Sequence, residues 1–207
     1  MTDATDPKRA DFPHPSPERQ WIATLITRSC SEKAAQRFLD FTVAPMHLDQ
    51  VGDVGRKILQ LCHRPVPGAC VMMSAMWVAG IEHDHPDLPV YEVAGDLLVD
   101  GQSVFWTESA PEQVAADFER SRLDWDGHCW IVVGDYVGDV SIFRTAYSTQ
   151  SSPRLSRAIV ERFGTGKGLL LSTVANLEAM GFEYRPKYVV TRAQVNSLLL
   201  GACDFFE

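Results

Sequence analysis

The chain has 207 residues, 19 of them basic and 27 acidic, for a formal net charge of −8; 45 % are apolar and 22 % charged. It is too long for a disulfide-stapled mini-protein, long enough for one core of about 150–200 residues, and too apolar to be wholly disordered. Its Lys and Arg are scattered singly on a net negative chain, which argues against binding to nucleic-acid backbones.

Residues 1–17 carry Pro7, Pro13, Pro15 and Pro17 and no apolar core, so they read as a flexible arm rather than a secretory signal, with 18–207 as a single domain. Trp21, Leu25 and Ile26 share a helical face, and Ser31 caps a short helix carrying Ala34, Phe38 and Leu39. Val51, Val54, Ile58 and Leu61 repeat at helical spacing up to the breaker Pro65-Val66-Pro67-Gly68. A further helix is predicted from about Cys70 to Ala79; the apolar stretch Cys70 to Ile81 is shorter than the roughly 20 residues a bilayer requires.

The middle changes character. Val90 to Trp106 centres on Asp100-Gly101 with β-formers on both sides, a hairpin signal. Ser109 and Glu112 stand at capping-box spacing before a helix. A second hairpin is predicted from His128–Val133 through a turn at Gly134-Asp135 to Tyr136–Phe143. Then come a helix near Pro153–Phe163, a short strand Leu169–Leu171, a helix near Val174–Met180, and a last helix capped by Thr191 and Gln194. Helices first and hairpins second predict an α+β fold, with N-terminal helices packed on an antiparallel β-sheet and a C-terminal α/β extension.

Five cysteines, Cys30, Cys62, Cys70, Cys129 and Cys203, form no C-x-x-C unit and have no zinc spacing with histidine. An odd set of thiols suits a reducing compartment, so a cytoplasmic location is expected. Cys70 differs from the rest. It follows Gly68-Ala69 at the start of a predicted helix, where free N–H groups and the dipole favour a thiolate. A thiolate nucleophile requires a base within reach and a third group to orient that base. His128 opens a strand after Trp125-Asp126-Gly127. With a two-residue turn, Val133 pairs Tyr136, Trp130 pairs Asp139 and His128 pairs Ser141, so His128, Trp130, Asp139 and Ser141 share a face. Asp139 is then a diagonal neighbour of His128, and Cys129 faces the other way into the core.

Gly-x-Cys opening a helix, then His128-Cys129-Trp130 opening a hairpin, then an acid on the return strand, resembles the transglutaminase-like branch of the papain-like cysteine enzymes, over roughly Pro65 to Arg144. The resemblance implies a nucleophile helix on an antiparallel sheet and acyl transfer on an amide or ester, with Cys70 as nucleophile, His128 as base and Asp139 as its orienting acid. The gap from His128 to Asp139 is shorter than in true transglutaminases. The family's upstream oxyanion side chain has no identifiable counterpart; Gln60 is a candidate for it, and the Cys70 N–H is the alternative donor; Trp130 packs beside the nucleophile helix or fills the sheet.

Other features read as structural. His83-Asp84-His85 lies in a proline-flanked loop with no third ligand apparent. Gly164-Thr165-Gly166-Lys167-Gly168 lacks the hydroxyl residue of a phosphate loop and follows a helix. Met72, Met73, Met76 and Trp77 read as core. The expectation is a cysteine-dependent hydrolase or acyltransferase acting on a peptide or a small amide or ester. It requires no cofactor and no metal, and has no nucleic-acid or membrane partner. The sequence carries no signal of oligomeric state. Two rivals stand beside it: a non-catalytic binding or scaffold protein with the same fold, and a metal-dependent hydrolase built on His83 and His85.

Overall fold

The computed structural model describes residues 15–62, 69–122 and 125–203, the side chains of 202 and 203 excepted. Most of the expected N-terminal arm and the Pro65–Gly68 breaker lie outside the described residues, as does the side chain of Cys203. The chain runs α1 (Pro17–Ser29), α2 (Glu32–Asp40), α3 (Pro45–Leu61), α4 (Ala69–Asp84), β1 (Val90–Val99), β2 (Gln102–Phe105), α5 (Pro111–Glu119), β3 (His128–Val133), β4 (Tyr136–Asp139), α6 (Ile142–Tyr147), α7 (Pro153–Phe163), β5 (Leu170–Thr173), α8 (Val174–Ala179), β6 (Phe182–Val189) and α9 (Arg192–Cys203).

Local chemistry explains most boundaries. Ser31 accepts from Ala34 N at 3.1 Å and starts α2. Thr191 Oγ1 accepts from Gln194 N, and Gln194 Oε1 accepts from Thr191 N at 2.9 Å, a reciprocal cap for α9. The expected Ser109–Glu112 box does not form. Ala110 is the cap of α5, Pro111 occupies its first turn, and Ser109 N donates to Thr107 Oγ1 instead. Asp100 and Gly101 both take positive φ, 52° and 70°, which is the twist a two-residue hairpin turn requires.

The strands form one mixed-length, wholly antiparallel sheet in the order β2-β1-β3-β4-β5, and β6 also pairs with β1. The fold is thus α+β, as expected. The last third is no extension, because β5 and β6 are strands of this same sheet. Strand β1 pairs with β3 along its first half and β2 along its second, leaving its other edge to β6.

Alternation along β1 and β3 sends side chains to two helical layers. On one face Ala94, Cys129, Ile131 and Val133 pack with α3, α4, α5 and α9. On the other, Val93, Leu97, Trp130 and Val132 pack with α1, α2, α6, α7 and α8. Helix α4 is apolar on nearly every side, with Val71, Met72, Met73, Ala75, Trp77, Val78 and Ile81 all buried, so it lies inside the molecule rather than on it. Trp77 locks it in place: Nε1 donates to Val51 O at 2.8 Å, and the ring lies over Gly55 and Gly138, where a Cβ would come within 2.8 and 2.7 Å of it. Four buried or half-buried methionines and aromatics of this helix thus serve as core, as the sequence suggested.

Candidate active site

Cys70 is the second residue of α4, within the first turn whose N–H groups have no acceptor in the helix. It is half-buried and packs against the cluster that contains Cys129. His128 is the first residue of β3, opposite Gly95 on β1. The β3–β4 hairpin has the register expected from a two-residue turn: Val133 opposite Tyr136, Val132 opposite Val137, Ile131 opposite Gly138. That register brings Asp139 diagonally to His128. His128 Nε2 lies 2.5 Å from Asp139 Oδ2, with the two side chains 1 % and 0 % exposed.

The expected strand Tyr136–Phe143 stops early, at Asp139. The reason is Asp139 itself. Its Oδ1 accepts from Ser141 N at 3.0 Å, Ser141 Oγ at 3.1 Å and Ile142 N at 2.9 Å, which turns the chain into α6. Ser141 therefore does not pair with His128 across the hairpin. It holds the other oxygen of the orienting acid.

Three residues complete the site that the sequence did not point to. Tyr184 on β6 donates its hydroxyl to Asp139 Oδ2 at 3.0 Å, and its ring meets Trp130 edge-on at 5.1 Å. Phe105 on β2 stacks flat on the imidazole, centroids 4.7 Å apart at 13°. Glu92 on β1 is fully buried near Cys70 and Cys129. A signal for β6 existed: Phe182, Tyr184, Pro186 and Tyr188 alternate with Glu183, Arg185 and Lys187, the period of an edge strand.

Charge is arranged around the sulfur. The neighbouring Cys129 thiol lowers the Cys70 pKa most; burial opposes this, and the nearby His128 lowers it further, leaving it well below the ordinary 9.0. Burial alone would push His128 down, but the Asp139 charge and hydrogen bond, with the Cys70 sulfur, outweigh it and bring His128 to about 10. Burial likewise works against the Asp139 carboxylate, and the His128 charge and its hydrogen-bond donors overcome it, so its pKa lies below 3.8. These directions favour the charged forms of Cys70, His128 and Asp139 alike. With Nε2 committed to Asp139, Nδ1 is the nitrogen left for the sulfur; it is buried and has no hydrogen-bond partner among the described residues.

Trp130 is 1 % exposed, stacks 6.2 Å from His128 and shapes the site from within the core. Gln60 is not brought to Cys70. It is exposed on α3 and lines a shallow hollow with Lys57, Asp84 and His85, at the far end of α4. Gln60 is turned to solvent and forms no hydrogen bond with Cys70, so the Cys70 N–H stands as the alternative donor identified from the sequence. Cys129 is core, as expected, yet also a direct neighbour of Cys70. Cys30 is exposed at the end of α1 rather than packed. Asp84 pairs with Lys57 at 3.2 Å, and among the described residues no three His, Cys, Asp or Glu side chains cluster as metal ligands would. No described helix is long and apolar enough to cross a membrane. No protein-family model, curated protein or solved structure matches the chain.

Proposed function

We propose that the protein is a cysteine-dependent hydrolase or acyltransferase acting on an amide or ester bond. One observation carries this reading: a cysteine at a helix N-terminus shares a buried charge network with a histidine that is hydrogen-bonded at 2.5 Å to an aspartate. The Cys70 thiolate attacks the carbonyl carbon of the substrate. The developing oxyanion meets the Cys70 N–H and the positive end of α4. The His128 imidazolium gives its proton to the leaving amine or alcohol, which departs and leaves a thioester on Cys70. Neutral His128 then takes a proton from water or from an acceptor amine, whose attack restores the thiolate. Asp139 keeps the ring oriented and favours its charged form throughout, while Phe105 and Trp130 shield it from solvent. The likeness to transglutaminase-like enzymes supports the same assignment of roles, and every step proceeds on side chains of this chain alone.

The experiment is selective alkylation. Iodoacetamide at about pH 5–6, where ordinary thiols are protonated, is expected to label Cys70 alone, and Cys70→Ser to abolish that labelling with the fold unchanged by circular dichroism. p-Nitrophenyl acetate is expected to leave one acetyl group on Cys70 by intact mass, decaying in water or passing to an added amine. Labelling of all accessible cysteines only in the ordinary thiol range would overturn the reading. The 1 % exposure of His128 gives weight to a second reading, a binding protein that keeps the fold without turnover. It predicts reactive Cys70 but no acyl-enzyme.

A further inference from the structure

Glu92 is the least comfortable side chain in the molecule. It has no exposure, and neither carboxylate oxygen has a hydrogen-bond partner among the described residues. Strand β1 pairs Glu92 with Ile131 and Ala94 with Cys129, so Glu92 and Cys129 point to the same face, the face on which the start of α4 brings Cys70 against the sheet. The groups that face it are few. From α4 there is Cys70, and from β3 there is Cys129, with His128 and Asp139 beyond it. The only phenol of β6 on this face, Tyr188, donates to Gln194 Oε1 at 2.9 Å. Helices α3, α5 and α9 supply apolar side chains such as Val54, Phe118 and Leu198. No described lysine or arginine forms an ion pair with Glu92.

We propose that Glu92 and Cys70 share one buried negative charge, so that Cys70 is a thiolate because Glu92 keeps its proton. The proposal rests on Cys70 being the nucleophile. Two anions side by side in a medium that screens poorly repel strongly, and a single charge goes to the site with better partners. Cys70 has the Cys129 S–H, the imidazolium and the helix N-terminus. Glu92 has no ion-pairing cation among the described residues and shares the Cys129 thiol with Cys70. Burial first, then the charge on Cys70, accordingly holds Glu92 well above its ordinary 4.5. Glu92 touches no substrate, so it is a positioning residue. Acylation turns the sulfur into an uncharged thioester and removes the charge that suppresses Glu92, which then becomes the more acidic; release of the acyl group reverses this.

Two measurements test it. The rate of Cys70 alkylation by iodoacetamide is followed against pH in the wild type and in Glu92→Gln, whose amide copies the protonated carboxyl. The carboxylic C=O infrared band of Glu92, assigned with isotope-labelled glutamate, is followed against pH in the wild type and in Cys70→Ala. The band is expected to persist at neutral pH in the wild type, with a lower midpoint in Cys70→Ala. Glu92→Gln is expected to leave the Cys70 labelling midpoint unchanged, because Glu92 is already neutral where Cys70 titrates, while linkage makes the Cys70 charge raise the Glu92 midpoint. The infrared arm keeps Glu92 in place and stands even where Glu92→Gln does not fold. A Glu92 band that titrates identically with and without Cys70, or a Glu92→Gln profile displaced to lower pH from a wild type still labelling selectively at low pH, overturns charge sharing alone. A wild-type Cys70 that labels only in the ordinary thiol range overturns both this and the nucleophile.

Discussion

Asp139 has two jobs on two oxygens. Oδ2 takes His128 Nε2 and the Tyr184 hydroxyl, and Oδ1 takes the N–H groups that start α6. Substitution therefore separates the charge on His128 from the folding of α6. Asp139→Asn keeps the shape and one oxygen acceptor but removes the charge that raises His128, so the imidazolium and the Cys70 thiolate both weaken. Iodoacetamide labelling of Cys70 at acid pH is expected to fall by at least about tenfold, one pKa unit. Asp139→Ala removes both jobs and leaves His128, Tyr184 and two N–H groups buried without their acceptor, a loss of about 3–5 kcal/mol in urea unfolding. The pairing of Asp139 with His128, eleven positions apart, is set by a two-residue turn, which is why the sequence exposes it. Tyr184 stands 45 positions away from Asp139, and nothing local ties the two together.

The element that the sequence conceals is β6. Pro186 sits in it where β1 makes its register shift between Ala94 and Gly95, and a proline inside an alternating run disguises a strand. The shift lets the Arg185 carbonyl pass over Gly95, and an added Cβ there would collide with that carbonyl and lie 2.9 Å from the Trp130 ring. Gly95→Ala is accordingly expected to push β6 off β1, at a cost of about 1–3 kcal/mol, and to carry Tyr184 away from Asp139. The two effects are read together, as a lower thermal midpoint and a shift of the Cys70 labelling profile to higher pH. Where an element follows from a turn or a cap, as with Asp100-Gly101, Ser31 or Thr191, the sequence shows it. Where an acid side chain takes over the backbone donors, as at Asp139, alternation alone overruns the end of the strand by four residues.

Across the whole molecule, the buried His128–Asp139 pair ties stability to pH. His128 is raised from 6.5 to about 10, so its contribution is fully present below pH 6.5 and is lost as the pH rises toward about 10. Asp139 is lowered from 3.8, so its contribution is present above pH 3.8 and is lost as the pH falls through its folded value. In Cys70→Ala the imidazolium loses the share supplied by the sulfur and keeps that of Asp139, so the alkaline loss begins at the same pH and ends lower. Urea midpoints of Cys70→Ala between pH 4 and 9 are expected to fall above about 6.5, and the fall to vanish when His128→Gln is added. A second fastening lies far from the site. Arg19, 8 % exposed, donates Nη2 to the carbonyls of Phe38, Leu39 and Phe41 and pairs with Asp135 at 3.2 Å, tying α1 and α2 to the β3–β4 turn. The hairpin that aligns His128 with Asp139 is thereby held at its tip as well as at its base.

Composition, turn residues and the order Cys, His, Asp were enough to indicate an acidic α+β chain with a cysteine at a helix start and a histidine–aspartate hairpin. These features are encoded within a few residues of one another, where backbone geometry leaves few choices. Distance in space is not encoded that way. Only packing of β6 and β2 around β1 supplies Tyr184 and Phe105 to the imidazole, only the packing of α3 turns Gln60 to solvent, and only burial in a shared face makes Glu92 and Cys70 compete for one charge. Desolvation and Coulomb coupling belong to the space between elements, and that space exists only once the sheet has closed between its two helical layers.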